Sequence, residues 1–226
     1  MTGGSGRRIV VLSAPSGGGK TTIAKALRER FPDRFGFSVS ATTRKPRAGE
    51  QNGVDYYFWD RARFEKGLKA GQFLEHAEYA GELYGTLRDE VEKVLQSGRH
   101  VVLDIEVEGA RQVRTHYAPP RSVSIFILPT EPRVLIERLL ARKSENADQL
   151  RKRIDRAKYE LQQATQFDRW IRNDVLDDAV HEVAKAVDDA GGFRRDQGDQ
   201  QWLDKYGSEL QLQAQQVWDE LHHQKG

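Results

Sequence analysis

A glycine-rich segment, SAPSGGGKTT, constrains the fold of this chain more than any other feature of its 226 residues. It follows the apolar run RIVVL, which has the composition and length of a buried strand, and it opens a helical pattern from Lys20 to Arg30. A phosphate-binding loop (P-loop) needs Gly, four residues and then Gly-Lys-Ser/Thr. Gly19, Lys20 and Thr21 fit that spacing, while Ala14 stands at the leading position. The order of strand, loop and helix predicts a phosphate site at the N-terminus of the helix.

The residues of this loop have the chemistry that a nucleoside triphosphate needs. Its glycines let backbone N–H groups curl around phosphate oxygens, the Lys20 ammonium would reach the β- and γ-phosphates, and the Thr21 hydroxyl would ligate Mg²⁺. Asp104 ends the later apolar run HVVLD, and its carboxylate can sit beside that metal or can simply cap a turn. The alternative for the loop is a flexible turn without a ligand. The predicted ATP-binding residues are Ala14, Pro15, Ser16, Gly17, Gly18, Gly19, Lys20, Thr21 and Thr22.

Composition excludes several classes of protein. Charged residues make up 31% of the chain, hydrophobic residues 38%, and the mean hydropathy is −0.72, which is typical of a polar soluble protein. The absence of cysteine excludes disulfides, thiolate metal sites and cysteine nucleophiles. A formal net charge of +2 does not indicate binding to nucleic acid. No apolar run is long enough to span a membrane, so we expect no membrane partner and a cytoplasmic location.

Short apolar strands alternate with helices along most of the chain. The runs RIVVL, HVVLDI and SVSIFIL predict buried strands, and RWIRND predicts a last strand. Helices are expected over Lys20 to Arg30, from Glu108, from near Pro132, over Asn146 to Gln166 and over Val175 to Val187. This alternation predicts an α/β fold in which helices cover a parallel sheet.

Two stretches depart from that alternation. Between about Phe37 and Thr86 the strand-like pieces DYYFW and QFLEHAEYA and a short helix, Arg61 to Leu68, predict a mostly antiparallel insertion. After DDAGG the composition becomes glutamine-rich, and we expect an amphipathic helix that packs on its own domain, with a contact between subunits as the alternative. The residues that can share one face of this helix are Trp202, Tyr206, Leu210, Val217 and Leu221.

The segment SVSATTRKPRAGE, within the insertion, is a candidate for a second anion site. Pro46 biases Lys45 towards an extended or polyproline II conformation, and in that helix Arg44 and Arg47 project to the same side. Two guanidinium groups suit a phosphate, and the neighbouring hydroxyls can add donors. The alternative is an ordinary solvated basic loop. Beside a triphosphate loop, a second anion site indicates a phosphorylated acceptor.

A resemblance to guanylate kinases is carried by five segments: APSGGGKTT, FSVSATTRKPRAGEQNGVDYYF, FLEHAEYAGELYGT, VVLDIEVEGA and IFILPTEPRVLIERLLAR. It extends from about Arg8 to Val187 and resembles the bacterial members, in which Ala also occurs at the leading loop position. The resemblance implies a P-loop NTPase core with a parallel sheet covered by helices, a small insertion that binds the nucleoside monophosphate, and a helical lid. The domain bounds it implies are 7–188 for the kinase-like domain (core 7–36 and 88–188, insertion 37–87, lid about 138–160) and 189–226 for a glutamine-rich helical C-terminal extension.

The same resemblance implies a nucleoside monophosphate kinase that catalyses ATP + GMP → ADP + GDP with Mg²⁺, also accepts dGMP, and serves purine nucleotide metabolism and GMP recycling. It implies that the GMP phosphate is held by Arg44, Arg47, Tyr56 and Tyr84. It implies that the guanine base is faced by Ser40, Glu75, Thr86 and Asp104. The chemistry agrees, because guanine presents N1–H and N2–H side by side and a carboxylate such as Glu75 can accept both.

Three further arginines, Arg138, Arg142 and Arg153, match the family's lid arginines. By the resemblance they gather charge on the transferred phosphoryl group and close over it, whereas the alternative is a charged helix surface. The catalytic residues implied are Lys20, Arg44, Arg138, Arg142 and Arg153. The metal would be held by the Thr21 hydroxyl, and by Asp104 either directly or through water.

Two short stretches depart from the family pattern. Glu106 and Glu108 stand where Asp and Gln are more usual, and Glu82 and Leu83 replace an Asn and an aromatic residue before Tyr84. We expect these changes to affect turnover rather than the phosphate and base contacts.

Two other functions are weighed against GMP phosphorylation. One is a P-loop kinase for another phosphorylated acceptor, such as a ribose bisphosphate, which should lack guanine-facing residues such as Ser40, Glu75 and Thr86. The other is a non-catalytic, guanylate-kinase-like interaction domain that binds a phosphorylated peptide, which should have lost Lys20 or the lid arginines.

Overall fold

The computed structural model describes residues 6–79, 81–141, 147–189 and 197–223. The strands in these ranges are β1 Ile9–Ser13, β2 Phe35–Phe37, β3 Ala41–Thr42, β4 Tyr57–Phe58, β5 Phe73–Tyr79, β6 Glu82–Leu87, β7 His100–Asp104, β8 Ser122–Leu128 and β9 Arg169–Arg172. The helices are α1 Lys20–Arg30, α2 Arg61–Lys69, α3 Arg88–Gln96, α4 Val107–His116, α5 Pro132–Leu140, α6 Ala147–Gln163, α7 Leu176–Asp188 and α8 Gln197–His223. The chain forms two compact units: the first comprises 1–12 and 24–123, and the second comprises 13–23 and 124–226.

In the first unit, three parallel strands pair in the order β2, β7, β1. Phe35 lies opposite His100, and Ile9 lies opposite Val101. The residues of β1 are buried throughout, as are the first four of β7. Continuous apolar runs form parallel strands here because both faces of such a sheet are covered. The sequence predictions for β1 and β7 are confirmed.

The first unit also contains a smaller sheet with the strand order β4, β3, β6, β5. The pairs β3–β6 and β5–β6 are antiparallel, and β3–β4 is parallel, so the predicted mostly antiparallel insertion is confirmed. Its core contains Phe64 of α2 stacked on Phe73 of β5, with ring centroids 4.3 Å apart. Asp60 caps α2, because its carboxylate accepts the backbone N–H of Arg63 at 2.7 Å. The residues that complete this core are Ala41, Leu83 and Leu87.

In the second unit, β8 and β9 pair in parallel, with Phe126 opposite Trp170, and α7 packs on β9. Helix α8 packs against both α5 and α6. The buried residues of α8 are Leu203, Tyr206, Leu210 and Ala214. Burial raises the pKa of the Tyr206 phenol, and its hydroxyl has no hydrogen-bond partner among the residues that the structure describes. The glutamine-rich segment is therefore a helix packed on its own unit.

Several short elements were not predicted. Strand β3 lies inside the segment that had no strand period, and β2, β6 and α3 had no separate signal. Strand β3 has only two residues, and its place in the sheet comes from partners that lie far along the chain: Thr42 pairs with Tyr84 and with Phe58. Among the described residues, no helix is long and apolar enough to cross a membrane. The predicted domain bounds stay a prediction.

Candidate active site

The glycine-rich loop after β1, in the second unit, is tightly curled. Gly17 and Gly19 have φ angles of 85° and 94°, in the left-handed region that favours glycine. The Gly18 N–H donates to the Pro15 carbonyl at 2.8 Å, and α1 follows at once, with Ile23 N–H donating to the Gly19 carbonyl at 3.1 Å. Backbone N–H groups in such a curl at a helix N-terminus form an anion-binding concavity.

The loop also needs glycine because neighbouring atoms leave no room for a side chain at Gly18 or Gly19. A Cβ added to Gly18 would lie 2.8 Å from the Cβ of Ala14, and one added to Gly19 would lie 2.2 Å from the Nδ2 of Asn173. Asn173, which follows β9 and is buried, donates from Nδ2 to the Gly18 carbonyl at 2.9 Å. This contact was not predicted from the sequence. The local signal was the polar pair ND directly after the predicted last strand.

Arg138 is the predicted lid arginine whose contacts with the loop are visible. Its Nη2 donates to the backbone carbonyl of Asn173 at 3.0 Å, and its Cβ lies 3.6 Å from the position of a Cβ on Gly17. Arg153 lies on α6 of the same unit and is half-buried. Arg142 lies outside the described residues. The guanidinium of Arg138 is therefore anchored beside the candidate phosphate site.

A buried carboxylate also contacts the loop. Glu160 of α6 is 1% exposed, and its Oε2 accepts the backbone N–H of Ser16 at 3.0 Å. Its Oε1 accepts from the Nε of Arg156, one helical turn earlier, at 2.9 Å. Glu160 was not among the predicted site residues, although it adjoins the apolar stripe of α6 at Ala157 and Leu161. A carboxylate next to a buried stripe is a usable signal.

The candidate base-facing residues of the first unit include a buried carboxylate and hydroxyl in contact. Glu75 of β5 is 5% exposed, and its Oε1 accepts both the hydroxyl of Thr86 at 2.6 Å and the backbone N–H of Thr86 at 3.1 Å. The antiparallel register of β5 and β6 sets the two residues opposite each other. A charged acceptor that holds two donors on the neighbouring strand is well ordered before any ligand arrives.

Helix α4 holds this carboxylate from the other side. A Cβ on Gly109 would lie 2.3 Å from the Oε2 of Glu75, so only glycine leaves room for the carboxylate there. Gln112, one turn further, bonds the backbone of the next β5 residue twice: Oε1 accepts from His76 N–H at 3.1 Å and Nε2 donates to the His76 carbonyl at 2.8 Å. These two residues were missed, because nothing in the sequence indicates that α4 packs on β5.

The candidate phosphate-binding residues of the insertion cluster around Arg44. Its guanidinium carbon lies 5.5 Å from the centroid of the Tyr56 ring. Glu50 and, to a smaller extent, Tyr84 raise the pKa of this guanidinium. The Tyr56 and Tyr84 rings are 6.1 Å apart in an edge-to-face arrangement. Arg47 is exposed nearby on the same loop. Three of the four predicted phosphate contacts are therefore brought together by the insertion.

Glu50 organises this cluster, although it was not among the predicted site residues. Its carboxylate accepts from both Nη atoms of Arg44 at 2.9 Å and from the backbone N–H of Arg47 at 2.7 Å. The hydrogen bonds from Arg44 and then from the Arg47 N–H lower the pKa of the Glu50 carboxyl. The Glu50 hydrogen bond in turn raises the pKa of the Arg44 guanidinium. The signal available was an acid six residues after the first arginine of a basic loop.

For the remaining predicted residues, the structure gives the position and the burial of each one. Lys20 is half-buried at the first position of α1, and Thr21 and Thr22 are exposed in its first turn. In the other unit, Ser40 is half-buried and its carbonyl accepts from Tyr57 N–H at 2.9 Å, while Asp104 ends β7 and is half-buried. The pairing of Thr21 with Asp104 around a metal stays a prediction.

The two stretches that depart from the family pattern have structural roles here. Glu82 accepts the hydroxyl hydrogen of Thr43, whose own oxygen accepts from Leu83 N–H at 2.9 Å, so this stretch joins β6 to the arginine loop. The side chain of Leu83 is buried in the core of the insertion. Glu106 occupies the N-cap position of α4 and makes no side-chain capping bond, and Glu108 pairs at the surface with an arginine one turn later.

Comparisons with known proteins agree with this geometry. A family model described as guanylate kinase matches residues 6–190. The chain is 49% identical to a guanylate kinase of Chlorobium chlorochromatii over 180 residues, which is 80% of this chain and 94% of the relative. It is 44% identical to one of a Nostoc species, over 80% and 89% of the two chains. The crystal structure of guanylate kinase from Anaplasma phagocytophilum superposes with a TM-score of 0.65 at 30% identity, covering 89% of this chain and 95% of that one.

Proposed function

The chain belongs to the guanylate kinase family, and on this premise we propose that its own residues bind ATP and GMP and catalyse ATP + GMP → ADP + GDP. It is a nucleoside monophosphate kinase with a P-loop NTPase core. The observation that carries the assignment of residues is the buried Glu75–Thr86 pair next to the arginine–tyrosine cluster of the same insertion. One side recognises a base with adjacent N–H donors, and the other recognises a phosphate.

The curled loop binds the triphosphate. The backbone N–H groups of Gly17 and of 19–21 cradle phosphate oxygens, while the Gly18 N–H holds the loop itself, and the Lys20 ammonium carries positive charge to the β- and γ-phosphates. The positive φ angles of the two glycines support this, because they turn successive N–H groups to one side. The exposed Thr21 hydroxyl is a hard oxygen donor of the type that Mg²⁺ prefers, and the Asp104 carboxylate is another donor of that type. Mg²⁺, when bound, neutralises charge on the phosphate oxygens.

The insertion binds GMP through two sets of contacts. Arg44, Arg47, Tyr56 and Tyr84 hold its phosphate, and the Glu50 carboxylate presets the Arg44 fork. Glu75 accepts guanine N1–H and N2–H with the oxygen that faces Gly109, and the hydroxyl of Ser40 donates to the ring. The Thr86 hydroxyl donates its hydrogen to Glu75, so it faces the base as an acceptor. Asp104 completes the set that faces the base. Adenine would present a lone pair to the carboxylate, and a site built on such pairing discriminates by about 10⁴-fold or more.

The lid arginines stabilise the transferred phosphoryl group. Arg138 already lies against the phosphate loop, where its charge can follow the γ-phosphoryl as it leaves ADP, and Arg142 and Arg153 add to it from the lid. The attacking atom is an oxygen of the GMP phosphate, which is anionic at neutral pH. Catalysis therefore needs positioning and charge rather than a general base. We assign the enzyme to purine nucleotide metabolism in the cytoplasm, with dGMP as a second acceptor.

The alternatives have less support. A kinase for a ribose bisphosphate would have no use for a carboxylate buried against a hydroxyl in the acceptor-binding insertion. A non-catalytic interaction domain would not need Lys20 at the start of α1 or Arg138 beside the loop.

The test is a coupled assay of ADP release with GMP, dGMP, AMP, UMP and ribose phosphates. We expect turnover selective for GMP and dGMP, and a fall in kcat of about 100-fold or more in Lys20→Ala, since one preorganised charge on the phosphates is removed. Lys25→Ala, on the exposed face of α1, is the matched control and should keep wild-type activity. A preference for AMP would overturn the base assignment, and GMP binding without turnover would favour the interaction domain.

A further inference from the structure

Glu160 is a buried ionisable group for which the proposed reaction has no use. It is 1% exposed on α6, yet a carboxylate is costly to bury unless hydrogen bonds and an opposite charge compensate it. Both compensations are present: the Ser16 N–H contacts one oxygen and Arg156 contacts the other. A carboxylate this close to the phosphate loop repels a bound triphosphate. We therefore expect Glu160 to make a contribution to the loop that outweighs this repulsion.

The partner of Glu160 supplies one. Pro15 has no N–H, so Ser16 is the first residue after Ala14 that can donate one from the loop. The Ser16 N–H donates to Glu160, and the Gly18 N–H turns back to the Pro15 carbonyl. Glu160 thus sets the orientation of the peptide group between Pro15 and Ser16, from which the rest of the curl follows.

Helix α6 links this contact to Arg153, one of the proposed lid arginines. Arg153 lies seven residues before Glu160, two turns along the same face, a rise of roughly 10 Å. An anchor at Glu160 fixes both the position and the rotation of α6 against the loop, and so fixes where the side chain of Arg153 can reach. The ion pair with Arg156 lies between the two and holds the Glu160 side chain in one rotamer.

We propose that Glu160 is a positioning residue for phosphoryl transfer: its buried carboxylate holds the Ser16 N–H, shapes the phosphate loop for the triphosphate, and ties the lid helix α6 to that loop. It does not touch the reacting atoms. The inference rests on the proposed binding of ATP at this loop.

The experiment compares two neutral substitutions of similar volume, of which only one keeps an oxygen acceptor. Glu160→Gln keeps an oxygen that can accept the Ser16 N–H, whereas Glu160→Met has a similar volume and no such acceptor. Both lose the ion pair with Arg156, so loss of that pair affects them alike. With every variant folded well below its melting temperature, we expect Glu160→Met to raise the KM for ATP about tenfold and to lower kcat severalfold, with the KM for GMP unchanged. Glu160→Gln should stay within about threefold of wild type in all three constants.

Glu137→Gln is the matched control. Arg133 and Glu137 of α5 form the same pair of residue types at the same spacing, Nε to Oε1 at 3.0 Å, but the Glu137 side chain is 59% exposed. This variant should keep wild-type kinetics. Wild-type turnover of ATP and GMP is measured first, so failure of the proposed function is seen before any variant is compared. Titration calorimetry with a non-hydrolysable ATP analogue then reports loop binding separately from chemistry.

Three kinetic outcomes would overturn the proposal: wild-type ATP constants in folded Glu160→Met, equal defects in Glu160→Gln and Glu160→Met, or an equal rise in the KM for both nucleotides. If Glu160→Met does not fold, Glu160→Leu replaces it as the acceptor-free variant. Failure of both to fold beside a wild-type Glu160→Gln would assign the residue to stability alone, which also overturns the proposal.

Discussion

At the scale of single residues, the proposed guanine contact depends on a glycine. The Oε2 of Glu75 lies where a side chain at position 109 would begin, 2.3 Å from its Cβ. The other oxygen is held by two donors of Thr86. The carboxylate therefore cannot move aside without losing those bonds.

Gly109→Ala is expected to weaken GMP binding while leaving the fold intact. The new methyl group displaces Glu75, and loss of a charged hydrogen-bond acceptor costs about 1.5–3 kcal/mol, or roughly 10- to 150-fold in the KM for GMP. Stability should fall as well, because the displaced carboxylate loses its buried bonds to Thr86, and the gain of about 1 kcal/mol in helix propensity from Ala offsets only part of that loss. Steady-state kinetics and thermal unfolding measure the two effects. Gly207→Ala, in α8 with open space around it, is the control, and an unchanged KM for GMP in Gly109→Ala would contradict the placement of guanine.

Glu50 should titrate below the ordinary range of a carboxyl group. Its pKa is lowered by the bonds from Arg44 and from the Arg47 N–H, so its contribution to loop order is present above the unfolded pKa and is lost as pH falls through the folded pKa. The unfolded value is about 4.3. The ¹³C shift of the Glu50 carboxyl carbon, followed by NMR from pH 7 to pH 2.5, measures the folded value. In Arg44→Ala we expect the midpoint to rise towards the unfolded value, and equal midpoints in the two proteins would show that the Arg44 pair has no such effect.

At the scale of elements, helix α8 is the part of the chain that the family match leaves out, since the match ends at residue 190. It nevertheless buries Leu203, Tyr206 and Leu210 against its own unit, where it contacts α5 and α6. Those two helices carry Arg138, Arg153 and Glu160. The extension is therefore a structural support for the helices of the proposed lid.

Leu210→Ala should destabilise the second unit. Leu210 is fully buried, and a Leu→Ala change in a packed core costs about 2–5 kcal/mol from lost burial and the cavity left behind. Leu212→Ala, two residues away with the leucine 62% exposed, should change stability by less than about 0.5 kcal/mol. Urea unfolding followed by tryptophan fluorescence, with Trp170 and Trp202 as reporters, compares the two. Equal midpoints would mean that α8 does not stabilise the unit.

At the scale of the whole molecule, the residues proposed for the two nucleotides belong to different units. The residues proposed for the triphosphate and the visible lid arginines belong to the second unit, and those proposed for GMP belong to the first. Chain order does not follow this division, because the phosphate loop at 13–23 groups with residues more than a hundred positions later. The parallel pairing of β9 with β8 contributes to this grouping, because the Asn173 that follows β9 donates a hydrogen bond to the Gly18 carbonyl of the loop.

Much of the fold could be predicted from hydrophobic periodicity and from the glycine and proline residues that mark turns and helix ends. The apolar runs of β1, β7 and β8 and the glycine curl before α1 are local patterns with a local physical cause: continuous burial in the strands, and left-handed φ angles in the loop. The bounds of α1 agree with the predicted residues, and α2 differs by one residue at its end. Strand β3 could not be predicted, because a two-residue strand has no period and exists only through its partners.

By itself the sequence determined the elements with strong local patterns, the phosphate loop and the types of residue available for a second nucleotide. Only the tertiary structure decided how those residues are held: Gly109 and Thr86 around Glu75, Glu50 on Arg44, and Glu160 on Ser16. Each of these contacts joins side chains to partners whose distance along the chain ranges from 6 to 144 residues. Hydrogen bonding between such partners depends on the packing of whole elements, which no local pattern encodes.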